Sequence, residues 1–152
     1  RDLVRSRGLG DVYKRQEMAL AAPEGRVYAA ECDADACELI CQNRAKFAVQ
    51  NLHLTQGLAP EALADWPAPD AVFIGGTKGN LRAIVDAALA ANPAARLCIS
   101  AIALETLQQA VAALTAHGLT AQVTQIAVSR SRAAGSLHLL MANNPVFLIV
   151  RE

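Results

Sequence analysis

Glu31 closes a short apolar run, residues 26–31 (RVYAAE), and lies about 20 residues beyond Gly8-Leu9-Gly10. A carboxylate at a strand end can accept both ribose hydroxyls of an adenosine-bearing ligand; dinucleotide and methyl-donor sites both use it. Gly8 and Gly10 form a G-x-G, of the kind that lets backbone turn tightly and approach a ligand closely. The third glycine of such a loop is replaced by Val12. A second glycine pair, Gly75-Gly76, follows the apolar run 70–74 (DAVFI) and would let a bound molecule lie against bare backbone. It is not a P-loop, because the spacing G-x-x-x-x-G-K-[ST] is absent. Arg130 and Arg132 stand two apart, so an extended chain aims both guanidinium groups the same way. Paired arginines suit carboxylates, which they bind bidentately. No nucleophile–base pair accompanies these groups, and His53, His117 and His138 lie too far apart in the pattern to suggest a triad or a metal cluster. His117 beside Gly118 reads as a cation at a helix C-terminus.

The elements that must position them alternate. Strand-like runs cover 26–31, 51–56, 70–74, 96–102, 121–129 and 146–150. Helical spacing covers 34–48, 81–91 and 104–117, with one or two turns at 60–64. Asp33 is placed to cap the first of these helices, with Leu39, Ile40 and Phe47 on its buried face. Such alternation predicts parallel β-α-β units with right-handed crossovers in a doubly wound sheet. Between 129 and 146 there is no room for a good helix, so the last strand returns antiparallel. In open sheets of this kind ligands bind beyond the carboxyl ends of the strands. Glu31, Gly75 and the Arg130–Arg132 pair all fall there.

Residues 1–16 (RDLVRSRGLGDVYKRQ) do not share this rhythm. They show no clear period where an opening apolar strand belongs, and read as an irregular, non-native segment such as translated adaptor or vector DNA. Residues 17–152 then form a single domain.

Hydrophobic residues make up 53% of the chain and aromatics only 4%, so the core must be aliphatic. No apolar run reaches the roughly 18 to 20 residues of a membrane span, and no secretory signal opens the chain; a soluble, cytoplasmic protein is expected. Cys32, Cys37, Cys41 and Cys98 contain no C-x-x-C pair, so buried reduced thiols are expected and no metal. The zero net charge argues against a nucleic-acid partner. It hides five basic and two acidic groups in residues 1–16, against net −3 in residues 17–152.

Four stretches carry a family resemblance: PEGRVYAAE, GLAPEALADWPAPDAVFIGGTKGNL, AIALETL and VSRSRAAG…NNPVFLIV. Together they resemble the cobalt-precorrin-6B carbon-15 methyltransferases (decarboxylating) of cobalamin biosynthesis, a module that also forms the C-terminal part of the precorrin-6Y methyltransferases. The resemblance covers residues 17–150 or so. It implies a class I S-adenosylmethionine methyltransferase fold, Rossmann-like, in strand order 3-2-1-4-5-7-6. The central first strand is degraded or absent here, its only candidate being residues 2–6. It further implies S-adenosyl-L-methionine as cofactor and a tetrapyrrole (precorrin) substrate. The reaction implied is methylation at carbon 15 with loss of the ring-C acetate carboxylate. By position, Glu31 would hold the ribose, Ala59 would lie against the adenine, and Gly8 and Gly10 would be the first two glycines of the family's loop. The pattern is broken at Ser6 and Leu58, where the family carries acids, and at Val12. A homo-oligomer, tetrameric in the family, and a fused or paired C-5 methyltransferase are also implied. No catalytic residue can be assigned. Two competing readings stay open: a transfer-RNA or protein methyltransferase on the same scaffold, for which a basic face would be needed, and a remnant domain that folds without binding cofactor.

Overall fold

The computed structural model describes residues 9–151, with side chains from Lys14 onward. The chain divides into two compact units, one ending at Trp66 and one beginning at Pro67.

In the first unit, α1 (Leu9–Ala21) precedes β1 (Val27–Glu31), α2 (Ala34–Lys46), β2 (Leu52–Gln56) and a single 3-10 turn (Glu61–Leu63). Residues 9–16, expected to be irregular, are thus helical. The run Lys14–Leu20 consists of good helix formers, and the apolar spacing that would have announced a helix is obscured because a glutamine, Gln16, takes a buried position, 4% exposed. Strands β1 and β2 are parallel, pairing Val27 with Leu52 and Glu31 with Gln56. Because side chains alternate along a strand, Val27, Ala29, Leu52 and Leu54 share one face, which packs with Ala19, Ile40 and Val49 into an aliphatic core. The other face carries Tyr28, stacked on His53 with ring centroids 4.9 Å apart and set 5.6 Å from Trp66.

Asp33 caps α2 as expected: its Oδ1 accepts the backbone N–H groups of Asp35 (2.9 Å) and Ala36 (3.1 Å). The buried face of α2 differs from the expected one. Cys37 and Ile40 are buried, whereas Leu39 and Phe47 are 37% and 47% exposed. The helix ends at Lys46, so Phe47 is already a capping residue and leaves the helical stripe. Of the four free thiols only Cys37 is buried and Cys41 is exposed, which corrects the expectation of buried cysteines. One helical turn rotates Cys41 just far enough off the core stripe to reach solvent.

The second unit contains β3 (Ala71–Ile74), α3 (Leu81–Ala91), β4 (Arg96–Ala101), α4 (Leu104–Ala116), β5 (Ala121–Ile126), β6 (Ser129–Ala134), β7 (Leu137–Ala142) and β8 (Val146–Arg151). Its main sheet has the order β3-β4-β8-β5. β3 and β4 are parallel, and β8 runs antiparallel to both β4 and β5, as the missing helix before it required. Helix α3 buries Leu81, Ile84, Val85, Ala88 and Leu89, the i, i+3, i+4, i+7, i+8 stripe of an amphipathic helix. Ala110, Ala113 and Leu114 of α4 are equally buried, as are Leu97, Ile99 and Ile149 of the sheet.

The two flanks of the expected 3-2-1-4-5-7-6 order are both present, as β2-β1 in one unit and β3-β4-β8-β5 in the other. Residues 2–6, the candidate for the strand that joins them, lie outside the described residues.

One element was not expected. Residues 127–142, taken as strand end and connection, form a two-stranded antiparallel hairpin, β6–β7. Gly135-Ser136 forms its turn, and Gly135 has φ +62°, the left-handed value a tight two-residue hairpin needs. No helix among the described residues is long and apolar enough to cross a membrane.

Candidate functional site

Glu31 ends β1, and its carboxylate is tightly held. Oε1 accepts the backbone N–H groups of Cys32 (3.0 Å) and Asp33 (3.1 Å), which open the loop into α2. Oε2 pairs with Nη2 of Arg15 at 3.0 Å, reached from α1, with both side chains 19% exposed. Burial raises the Glu31 pKa, but the Asp33 N–H, the Arg15 guanidinium and the Cys32 N–H together outweigh it and hold the carboxyl below its usual range. Glu31 is therefore an ionised acceptor at the carboxyl end of a parallel strand, the chemical form that ribose hydroxyls require.

Ala59 lies in the loop that follows β2. That loop starts against the end of β1, because the Gly57 N–H donates to the Glu31 carbonyl at 2.9 Å. A Cβ on Gly57 would come within 3.2 Å of the Ala62 methyl, so the glycine permits the close return of the loop. Glu31 and the Ala59 loop are thus brought together at one strand edge. Gly8 lies outside the described residues. Gly10 falls in the first turn of α1 rather than in an open loop.

In the second unit Gly75 follows Ile74 at the carboxyl end of β3, as expected. A Cβ on Gly76 would meet nothing within 4 Å, so this loop borders open space. Two residues there are left-handed, Lys78 at φ +48° and Gly79 at φ +95°, and they turn the chain into α3.

Arg130 and Arg132 lie on β6, within the hairpin. Directly opposite them on β7 are Met141 and Leu139. Opposite residues of an antiparallel pair project to the same side. One face of the hairpin therefore presents two guanidinium groups beside Leu137, Leu139 and Met141, which are 64%, 49% and 49% exposed. That apolar partner to the arginines was missed. The signal was weak: Gly135-Ser136 is a hairpin dipeptide, but the run before it, Ser129–Ala134, holds no strand-forming residue.

Two further polar groupings were also missed. Arg15 is brought to Glu31 by the packing of α1. Asp86 on α3 pairs with His117 Nε2 at 2.6 Å and with Arg82 Nε at 2.8 Å. Residue spacing places His117 as a cap of α4 and nothing more. It does cap that helix, and it also joins α4 to α3. The Asp86–His117 pair borders a shallow hollow of about 350 Å³ floored by Leu89, Ala90, Pro93 and Leu119.

Parallel strands with an acid or a glycine loop at their carboxyl ends, and a reversed last strand beside β4, are the plan of a Rossmann-like methyltransferase domain. Comparison with known proteins gives the particular family. The precorrin methyltransferase domain matches residues 8–151, and the chain belongs to that family. It is similar to a probable cobalt-precorrin-6B C(15)-methyltransferase (decarboxylating) of Pyrobaculum calidifontis, 40% identical over 144 residues, covering 93% of this chain and 74% of the relative. The corresponding Salmonella typhimurium enzyme is 36% identical over 135 residues, 88% of this chain and 69% of the relative. Among solved structures, a precorrin-6Y C5,15-methyltransferase from Geobacter metallireducens superposes with a TM-score of 0.86 at 32% identity, covering 95% of this chain and 77% of the other.

Proposed function

We propose that this chain transfers a methyl group from S-adenosyl-L-methionine to carbon 15 of a corrin precursor, with loss of the ring-C acetate carboxylate as carbon dioxide, in cobalamin biosynthesis. The observation that carries this reading is the ionised Glu31 carboxylate at the end of β1, within a family match that spans residues 8–151. When bound, the cofactor would supply an electrophilic methyl on its sulfonium. Glu31 would hold the ribose and the Ala59 loop would border the adenine, while Gly75, in the other unit, would offer bare backbone to a bound molecule.

The chain's task would then be alignment rather than acid–base chemistry. Holding two reacting centres in line contributes up to about 7–11 kcal/mol in favourable systems. For the macrocycle, the β6–β7 face offers both kinds of contact a precorrin needs. Leu137, Leu139 and Met141 would cover its apolar body, and Arg130 and Arg132 would bind its carboxylates. The opposite face carries His138 and Leu140, the latter 77% exposed. An isolated two-stranded hairpin is only marginally stable in water, which supports a homo-oligomer in which copies of this chain cover the Leu140 face. A fused or paired methyltransferase acting at carbon 5 belongs to the same reading.

The test is incubation of the protein with S-adenosylmethionine and cobalt-precorrin-6B, or its cobalt-free counterpart, followed by mass spectrometry. The product is expected to have gained one methyl and lost carbon dioxide. Methylation without decarboxylation, or neither, would refute the assignment.

A further inference from the structure

We propose that Arg15 is an internal competitor for the Glu31 carboxylate, an ion pair that occupies the ribose-binding group and must be displaced before an adenosine ligand binds. This rests on the reading of Glu31 as the ribose acceptor.

A carboxylate offers about four lone-pair positions. The backbone N–H groups of Cys32 and Asp33 take two on Oε1, and both belong to the loop that fixes the carboxylate's orientation. Arg15 Nη2 takes one on Oε2. Two vicinal hydroxyls donating to one carboxylate need two positions, and the guanidinium leaves one. The pair is four-fifths buried, so water does not separate it cheaply. Yet Arg15 itself is imperfectly housed: Nη2 reaches the Ala30 carbonyl only at 3.5 Å, and the buried Nη1 has no hydrogen-bond partner among the described residues. A guanidinium with an unsatisfied nitrogen gains by moving toward solvent, so displacement by ligand is feasible, and each displacement is charged against ligand affinity.

The test is calorimetric titration of S-adenosylhomocysteine into the full chain and into Arg15→Met, Arg15→Ala and Glu31→Ala, with circular dichroism to establish folding. Met keeps the buried stem of Arg15 should Ala unfold the helix. Removing the guanidinium should tighten binding about tenfold, and Glu31→Ala should weaken it about tenfold or more. Binding by an Arg15 variant where the parent chain binds nothing would also support the proposal. Unchanged or weaker binding in folded Arg15→Met, with Glu31→Ala still weakened, would overturn the competitor role and leave the ribose reading standing. An unchanged dissociation constant in Glu31→Ala, or no binding by any variant, would overturn the ribose reading and the competitor role together.

Discussion

At the scale of single residues, chemistry here comes from groups that need no partner to be activated. Arg130 and Arg132 are permanently charged, and their value lies in position on a shared strand face. Replacing both with Gln should weaken tetrapyrrole binding about a hundredfold or more, if each guanidinium contributes the 1.5–3 kcal/mol or so of a charged hydrogen bond. S-adenosylhomocysteine affinity should stay nearly unchanged. Fluorescence quenching by a tetrapyrrole alongside calorimetry with the nucleoside checks both; equal losses would make the pair structural. Arg15 and Gln16 are the counter-case. Arg15 Nη1 and Gln16 Oε1 are the buried side-chain atoms without hydrogen-bond partners among the described residues. Both lie on α1, within the part of the chain that the precorrin methyltransferase domain matches.

At the scale of elements, α3 and α4 are joined by apolar packing and by the Asp86–His117 pair. The carboxylate accepts, so the His117 Nε2 carries the proton. His117 foremost, offset somewhat by burial, and then Arg82 lower the Asp86 pKa. A carboxylate whose folded pKa is depressed contributes stability above its unfolded value and loses it as the pH falls through the folded one. Asp86→Asn should therefore lower thermal stability near neutral pH, by no more than about 1 kcal/mol for groups this exposed. The difference should vanish on acidification below the ordinary carboxylate range. Melting curves of both proteins across pH check this, and a difference that persists in acid would show that packing, not charge, is responsible. The elements were largely legible in the sequence because periodicity reports burial: the α3 stripe, the Asp33 cap and the reversal of β8 all follow from residue spacing. The β6–β7 hairpin was not legible to a search for buried strands, since both of its faces are exposed and its alternation of arginine and serine has no apolar phase.

At the scale of the whole molecule, exposed apolar side chains concentrate late in the chain. Val123, Ile126 and Val128 lead into the hairpin, where Leu140 stands almost free of the protein. If the proposed homo-oligomer covers this face, Leu140→Lys is expected to give a smaller species than the parent chain in light scattering while leaving S-adenosylhomocysteine binding intact. An unchanged mass would remove the hairpin from the interface.

The sequence by itself determined the strand–helix alternation, the reversed final strand and the position of Glu31 at the carboxyl edge of the strands. All of these depend on local period and on rules of chain connection that act within a few tens of residues. Only the tertiary structure decided what surrounds those groups. The meeting of Arg15 with Glu31 and of Asp86 with His117 depends on how helices pack, and the side-chain reach that closes such pairs has no period to be read. The same holds for the arginine and leucine face of the hairpin. Its composition is written in the chain, but strand register alone sets Arg132 opposite Leu139, and a shift of one residue would have set it opposite His138 or Leu140 on the other face.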